Sequence, residues 1–356
     1  MSFETGTATG HEDLIAKWFN FLQANGWTAD VDYAAAGQSP SYGVIHRQNQ
    51  LSPEDENTVN LYCGFAPVGF SSSYGDLINM IPMRDYSGSG DPNLGTEVGT
   101  SSSTYADTGA THIRTGFPTD PFENYWFFES DYYAHAVVEF AVGYFRHFGM
   151  GAVNKIGRWF GGEYYYGSVW DQSPSFIENK FSGQHAMCVD SVSGFAAAWL
   201  YGRQLDGTGF PDVVGRQSPE TAWHVAQSLA DNGAGSGALD ADGRQKGTLF
   251  SNGPRGGLHY PLYLNGISPF NGYRSMFPIH LWTTYRASSP DNYRPVGVLP
   301  DIRNISMEGS LQGGDEFTIG SDTWLAFPVA RKQTANTADN LENSGLYGLA
   351  YKKVTT

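Results

Sequence analysis

Between residues 11 and 25 the apolar positions Leu14, Ile15, Trp18, Phe19 and Leu22 recur at helical spacing, with Glu12 and Asp13 in the first turn and Gly26 just past the end. The pattern predicts one amphipathic helix, capped at Thr9 or Gly10, whose apolar stripe lies on a sheet that begins near Trp27. Beyond Trp27 the period changes to two. Short runs such as YGVIHR (residues 42–47) and TVNLYC (58–63), separated by the turn-rich LSPEDEN, predict strands in a hairpin or meander.

Residues 71–121 are rich in Ser, Gly, Thr, Asp and Pro, and they predict an extended surface loop or arm. The strongest strand signal follows in YWFFES (125–130), AHAVVEF (134–140), YFRHF (144–148) and residues 163–169. Turns are expected at Asp131, Gly143, Gly149 to Gly151, and Gly161-Gly162. From 171 to 300 periodicity is weak. A short helix is expected at 219–229 with Ser218 as its cap, and ADNGAGSGALDADGRQKG reads as a loop. Alternation returns in TWLAFPV (323–329) and GLYGLAYK (345–352), two strands expected to pair. The expected class is α+β, mainly antiparallel β, with one N-terminal amphipathic helix packed on sheets and long loops. The expected organisation is 1–70 as helix plus short strands, 71–121 as the arm, and 122–356 as a β-rich core continuous with 1–70 or separate from it.

Composition sharpens this picture in two ways. Of 356 residues only 16% are charged, against roughly 25% in an average soluble domain, so much of the surface must be uncharged polar, glycine or aromatic. Aromatics make up 15% of the chain, which suits a surface covered by partners and equally suits cross-strand packing in a sheet. The net charge of −15 repels phosphate and argues against direct nucleic-acid binding. Cys63 and Cys188 are too few for a disulfide scaffold and lack metal spacing. The opening MSFETGTATGHEDL lacks the charged start and apolar run of an export signal, and no run of 18 apolar residues occurs. Synthesis in a cytoplasm, without membrane insertion, is expected.

Catalytic kits are hard to find. The nine histidines form no metal-binding spacing, and His135 and His147 fall inside strand patterns. His185, Cys188 and Asp190 lie close in sequence without an activating context. No Gly-x-Ser-x-Gly elbow and no phosphate-binding glycine loop is present. Asp240-Ala241-Asp242-Gly243 opens like a calcium loop but has Ser251 where the twelfth-position Glu belongs. Glu123, Glu129, Asp131, Glu139, Glu163 and Asp171 lie in or near the aromatic sheet. They leave open a carboxylate pair for glycoside cleavage, or the plain edge of a solvated sheet. No catalytic residue, metal or cofactor is therefore assigned.

Three stretches look familiar as a set: Thr5-Gly6-Thr7-Ala8 with Asn25-Gly26-Trp27-Thr28; Arg146 to Gly151 through Lys155-Ile156-Gly157 to Gly161-Gly162-Glu163-Tyr164; and Trp324 to Pro328 with Gly348 to Tyr351. Together they resemble virion structural proteins of tailed bacteriophages, found among tail and neck genes. The resemblance implies a non-enzymatic subunit of tail, baseplate or neck, made in the host cytoplasm and located in the virion. Its partners would be copies of itself and other virion proteins. Under that reading Arg146, His147, Gly149, Gly151, Lys155, Gly161 and Gly162 form a structural hairpin, the glycines permitting tight turns and the basic groups tying the turn to backbone. The alternative is a receptor- or carbohydrate-binding tail module in which Trp126, Tyr132, Tyr133, Tyr164, Tyr165 and Trp170 stack on host-surface glycan, with a glycan-degrading enzyme on the same sheet as a third reading.

Overall fold

The structure is a computed structural model that describes residues 2–34, 42–50, 58–69, 76–83, 86, 113–117, 121–167, 197–203, 223–228, 276–286, 289–307, 311–332 and 341–353. Among these residues the elements run β1 (Ser2–Ala8), α1 (His11–Ala24), β2 (Thr28–Val31), β3 (Gly43–Gln50), β4 (Thr58–Gly69), β5 (Asp76–Met83) and β6 (Ile113–Phe117). They continue as β7 (Phe122–Ser130), β8 (Tyr133–Ala141), β9 (Tyr144–Ala152), β10 (Asn154–Lys155), β11 (Phe160–Gly167), β12 (Ala197–Arg203) and β13 (Trp223–Ser228). The chain closes with β14 (Met276–Arg286), β15 (Ser289–Ser306), β16 (Asp315–Ile319), β17 (Asp322–Lys332) and β18 (Leu341–Lys353). The described residues are mostly antiparallel β with one helix. None of the described helical segments is long and apolar enough to cross a membrane.

The strands form two sheets. One runs β2-β3-β4-β5-β6; the other runs β1-β7-β8-β9-β11-β12-β13-β14-β15-β18-β17-β16, with β10 on β15. Because β1 pairs with β7, Phe3 opposite Phe128, the first strand belongs to the sheet of the later chain while β2 to β4 belong to the other sheet.

The core is organised by the two-residue period of β7, β8, β9 and β11. One face carries Phe127, Ala134, Ala136, Val138, Phe148, Met150 and Tyr165, packed against α1 and against Ile45, Leu61, Cys63, Phe65, Ile78 and Met80 of the small sheet. The other carries Phe128, Tyr133, Val137, Phe145, Tyr164 and Tyr166, packed against Leu299, Ile302, Leu325, Phe327, Leu349 and Tyr351 of β15, β17 and β18. A sheet buried on both faces needs apolar residues at both parities, which YWFFES and AHAVVEF supply. On α1, Trp18 enters edge-on to Phe127 at 4.8 Å and Phe148 at 5.6 Å between ring centroids. Such aromatic contacts add roughly 0.5–1.5 kcal/mol each beyond area burial. The helix ends where Asn25 donates from Nδ2 to the Phe21 carbonyl (2.7 Å) and Gly26 adopts φ 85°, a conformation that favours glycine.

At the end of β9 the chain turns a corner: Val153 donates to the Gly162 carbonyl (2.9 Å), β10 pairs with Gly297 and Val298, and Ile156 donates to Val296 O (2.8 Å). One strand thus joins the two facing layers, as strands do at the corners of β-sandwiches.

Several expectations are corrected. Within the predicted arm, DLINMIPM and IRTGF are strands β5 and β6. The former buries Ile78 and Met80 toward α1 and Ile81 and Met83 on the opposite face, so the Ser/Gly flanks conceal a genuine strand; most of residues 84–112 lie outside the described residues. The helix expected at 219–229 is instead strand β13, where WHVAQS pairs with β12 and β14. Tertiary pairing overrides weak local propensity there. Gly149 to Gly151 is not a turn, because β9 runs through it. A Cβ on Gly149 would stand 2.5 Å from His135 Nδ1 and 2.7 Å from Ala134 O, and one on Gly151 would stand 2.6 Å from the Tyr164 hydroxyl. These glycines clear space for neighbouring side chains. Gly149→Ala is expected to lower stability by about 1–3 kcal/mol in urea unfolding, and a stability equal to the parent's would show that the cradle yields easily.

Candidate functional site

The six aromatics proposed as one surface do not share a surface. Tyr133, Tyr164 and Tyr165 are fully buried, so they are unavailable for stacking on a glycan, and the parity of β11 sends Tyr164 and Tyr165 to opposite faces. Tyr165 donates its hydroxyl to Tyr62 O (2.8 Å) and braces the small sheet. Trp126 is half-buried beneath Phe327 (4.9 Å) and Phe145 (5.9 Å). Tyr132 is exposed, and Trp170 lies outside the described residues.

What the same strands build is a buried tyrosine–histidine layer between the central strands and β15, β17 and β18. Alternation places His135 and His147 on the inner side of that interface, next to positions 149 and 151 where only glycine fits. His135 lies between the hydroxyls of Tyr166 (2.8 Å to Nδ1) and Tyr164 (3.1 Å to Nε2) and stacks on Tyr133 at 4.6 Å. His147 lies 3.1 Å from the Pro328 carbonyl through Nε2 and 2.9 Å from the Tyr351 hydroxyl through Nδ1. A carbonyl can only accept, so Nε2 carries the proton and Tyr351 donates to a bare Nδ1. Burial holds His135 well below its ordinary pKa and pushes His147 down to about 4, with Arg146 adding to the effect and the Pro328 bond opposing it. Both rings are neutral at pH 7. Burial likewise raises the Tyr133 and Tyr164 hydroxyls well above the phenolic range, with the Asp301 carboxylate reinforcing the effect on both. The layer is satisfied and closed to water, which suits cohesion between sheets; a general base needs substrate within hydrogen-bond reach.

Three of the carboxylates singled out for glycoside cleavage, Glu129, Asp131 and Glu139, have other duties. Glu129 of β7 and Asp131 of the β7–β8 turn both grip the Arg47 guanidinium of β3, which also donates to Asn25 O at 3.2 Å. Arg47 lies over Trp27 as well, 5.9 Å from its ring. This latch joins the small sheet, the end of α1 and the β7–β8 turn. The Glu129 carboxyl is raised because burial outweighs the pull of Arg47. Glu139 accepts from Asn124 Nδ2 (2.9 Å) and from the Gly143 amide (2.8 Å), fixing the β8–β9 turn. Glu163 is buried in β11, Glu123 is exposed, and Asp171 lies outside the described residues. His185, Cys188 and the 240–251 segment lie outside them too. No cluster of three or more metal-ligating side chains exists among the described residues.

The seven hairpin residues divide into layer and corner. Arg146, His147, Gly149 and Gly151 belong to β9, where the Arg146 guanidinium lies 5.1 Å from the Phe140 ring centroid. Lys155 donates to Trp159 O (2.9 Å) and lies over that indole at 4.9 Å, tying down the turn after β10. Gly161 and Gly162 adopt φ 93° and 125° where the β11–β12 register shifts, conformations that any other residue would resist. The Arg47 latch and the stacked histidines were not legible in the sequence, because their hydrogen-bond partners lie from 29 to 204 residues away.

Arg47→Met leaves Glu129 buried without its cation and is expected to cost about 3–5 kcal/mol, while adding Glu129→Leu should recover most of it; both are read from denaturant midpoints. For His147 the folded pKa lies below the unfolded value of 6.5. Its contribution is therefore complete above that value and is lost as pH falls from 6.5 toward 4, by on the order of 3 kcal/mol. Glu129, whose folded pKa is raised, acts with the opposite sign. The test is the difference in melting temperature between the parent and His147→Gln across that range, expected to shrink on acidification. No protein-family model and no curated protein sequence matches the chain.

Proposed function

We propose that the chain is a non-catalytic structural subunit of a tailed-bacteriophage virion, held in tail, baseplate or neck by contacts with copies of itself and other virion proteins. The observation that carries the reading is how five of the titratable groups that looked chemical are engaged. Glu129 and Asp131 hold Arg47, Glu139 holds a turn, and His135 and His147 hold two β layers together. A catalytic pair needs an open site with room for substrate, and these groups are spent on cohesion. The resemblance of the three sequence stretches supplies the choice of assembly, and the low charge with abundant aromatics suits a surface covered by neighbours.

The glycan-binding alternative loses its platform, since Tyr133, Tyr164 and Tyr165 are buried in the chain's own core. Immunogold electron microscopy with antibody to the chain, on particles purified from lysates of the host that carries the gene, is expected to label one fixed position on the particle. Unlabelled particles with all signal in the soluble lysate would count against a virion role.

A further inference from the structure

The two faces of the central strands differ in the buried groups they carry. His135 and His147 are the only buried histidines among the described residues, and alternation puts both on the face that meets β15, β17 and β18. They stand on the neighbouring strands β8 and β9, and the Tyr351 ring of β18 lies 5.8 Å from one and 5.9 Å from the other. His147 makes two hydrogen bonds across the layer boundary, to Pro328 O and with the Tyr351 hydroxyl. Each ring nitrogen already meets a hydroxyl or a carbonyl. A second proton on either imidazole therefore displaces a hydroxyl's own proton and adds a charge where water is excluded. The groups facing the rings do not offset that charge. From β8, β11 and β18 they are the hydroxyls of Tyr133, Tyr164, Tyr166 and Tyr351; Arg146, next along β9, repels a cation on His147; the Asp301 carboxylate of β15 acts on Tyr133 and Tyr164. No described carboxylate pulls on either imidazole.

The face toward α1 responds to acid differently. Its buried charged groups among the described residues are Glu129, Arg146 and Glu163; the carboxylates shed charge on acidification, and the arginine keeps its own. Only the histidine face gains buried charge. We propose that this layer is an acid-operated joint: protonating His135 and His147 parts β17 and β18 from β8 and β9, while α1 and the small sheet stay seated on the opposite face. The corner after β9 is the hinge. There Val153 bonds to Gly162 O and β10 pairs with β15, so the layers stay joined at that end and part at the other, where Trp126 and Phe145 meet Phe327. Both folded pKa values lie below 6.5, so closure is complete above that pH and is lost as pH falls toward about 4. Opening uncovers Phe128, Phe145, Phe327 and Tyr351, which are buried at neutral pH. The joint is independent of the assembly the chain serves, so its failure would leave the virion reading intact.

The test is thiol labelling of the full chain carrying Val137→Cys and Cys188→Ser. Position 137 is buried in the histidine face, and the native Cys63 is buried in the α1 face as an internal control. A dipyridyl disulfide, which reacts with thiols in acid, labels the chain at a series of pH values. Each rate is divided by that of the same thiol in the urea-unfolded chain at the same pH. Two protons taken up per opening should raise the normalised rate at position 137 about a hundredfold per pH unit between pH 6.5 and about 4, with Cys63 lagging far behind. His135→Gln and His147→Gln, each alone, should reduce that dependence to about tenfold per pH unit. The single variants suffice if the double variant does not fold. A rate at position 137 that ignores pH, a dependence unchanged in both variants, or Cys63 labelled in step with position 137, as in global unfolding, overturns the proposal.

Discussion

Everything in this molecule hangs on a sheet that is buried on both sides. β7, β8, β9 and β11 alternate large side chains toward α1 and the small sheet on one face, and toward β15, β17 and β18 on the other. With water excluded from both faces, each polar side chain there must find a protein partner or incur an unpaired burial cost of roughly 1–3 kcal/mol. That constraint explains why His135 and His147 are neutral and hydrogen-bonded at both ring nitrogens, and why tyrosines rather than phenylalanines surround them. It also explains why glycine stands at 149 and 151, where the hydroxyls and the imidazole fill the space of a side chain.

The same constraint shapes the edges of the core. Where the small sheet meets the central one, Arg47 reaches across to Glu129 and Asp131 and touches the end of α1, so three elements are registered by one guanidinium. Removing water from such a pair is costly, and its value lies more in fixing which surfaces meet than in net stability. Where β9 leaves the central layer, Trp159 and Lys155 hold the corner, and two glycines at positive φ let β11 enter the sheet beside it. The polar groups of this protein thus act mainly as fasteners between layers. That is the physical basis for proposing a structural role.

The sequence by itself determined what depends on neighbours along the chain. It specified a mostly antiparallel β class, and the alternation that yields β7 to β9 and the β17–β18 pair, because a two-residue period is local. The helical spacing of Leu14, Ile15, Trp18, Phe19 and Leu22 coincides with residues that α1 buries. Tertiary structure decided whatever needed a partner far away. The apolar residues of DLINMIPM lie among Ser and Gly flanks, so only pairing with β4 identifies a strand; WHVAQS has helical spacing and becomes a strand between β12 and β14. The six aromatics illustrate the limit most plainly. Their abundance was readable, but alternation in strands covered on both faces hides Tyr133, Tyr164 and Tyr165, and coverage of the second face comes from β15, β17 and β18, far along the chain. Sequence can say which side of a strand a residue faces; only the packing of the layers decides whether that side meets water.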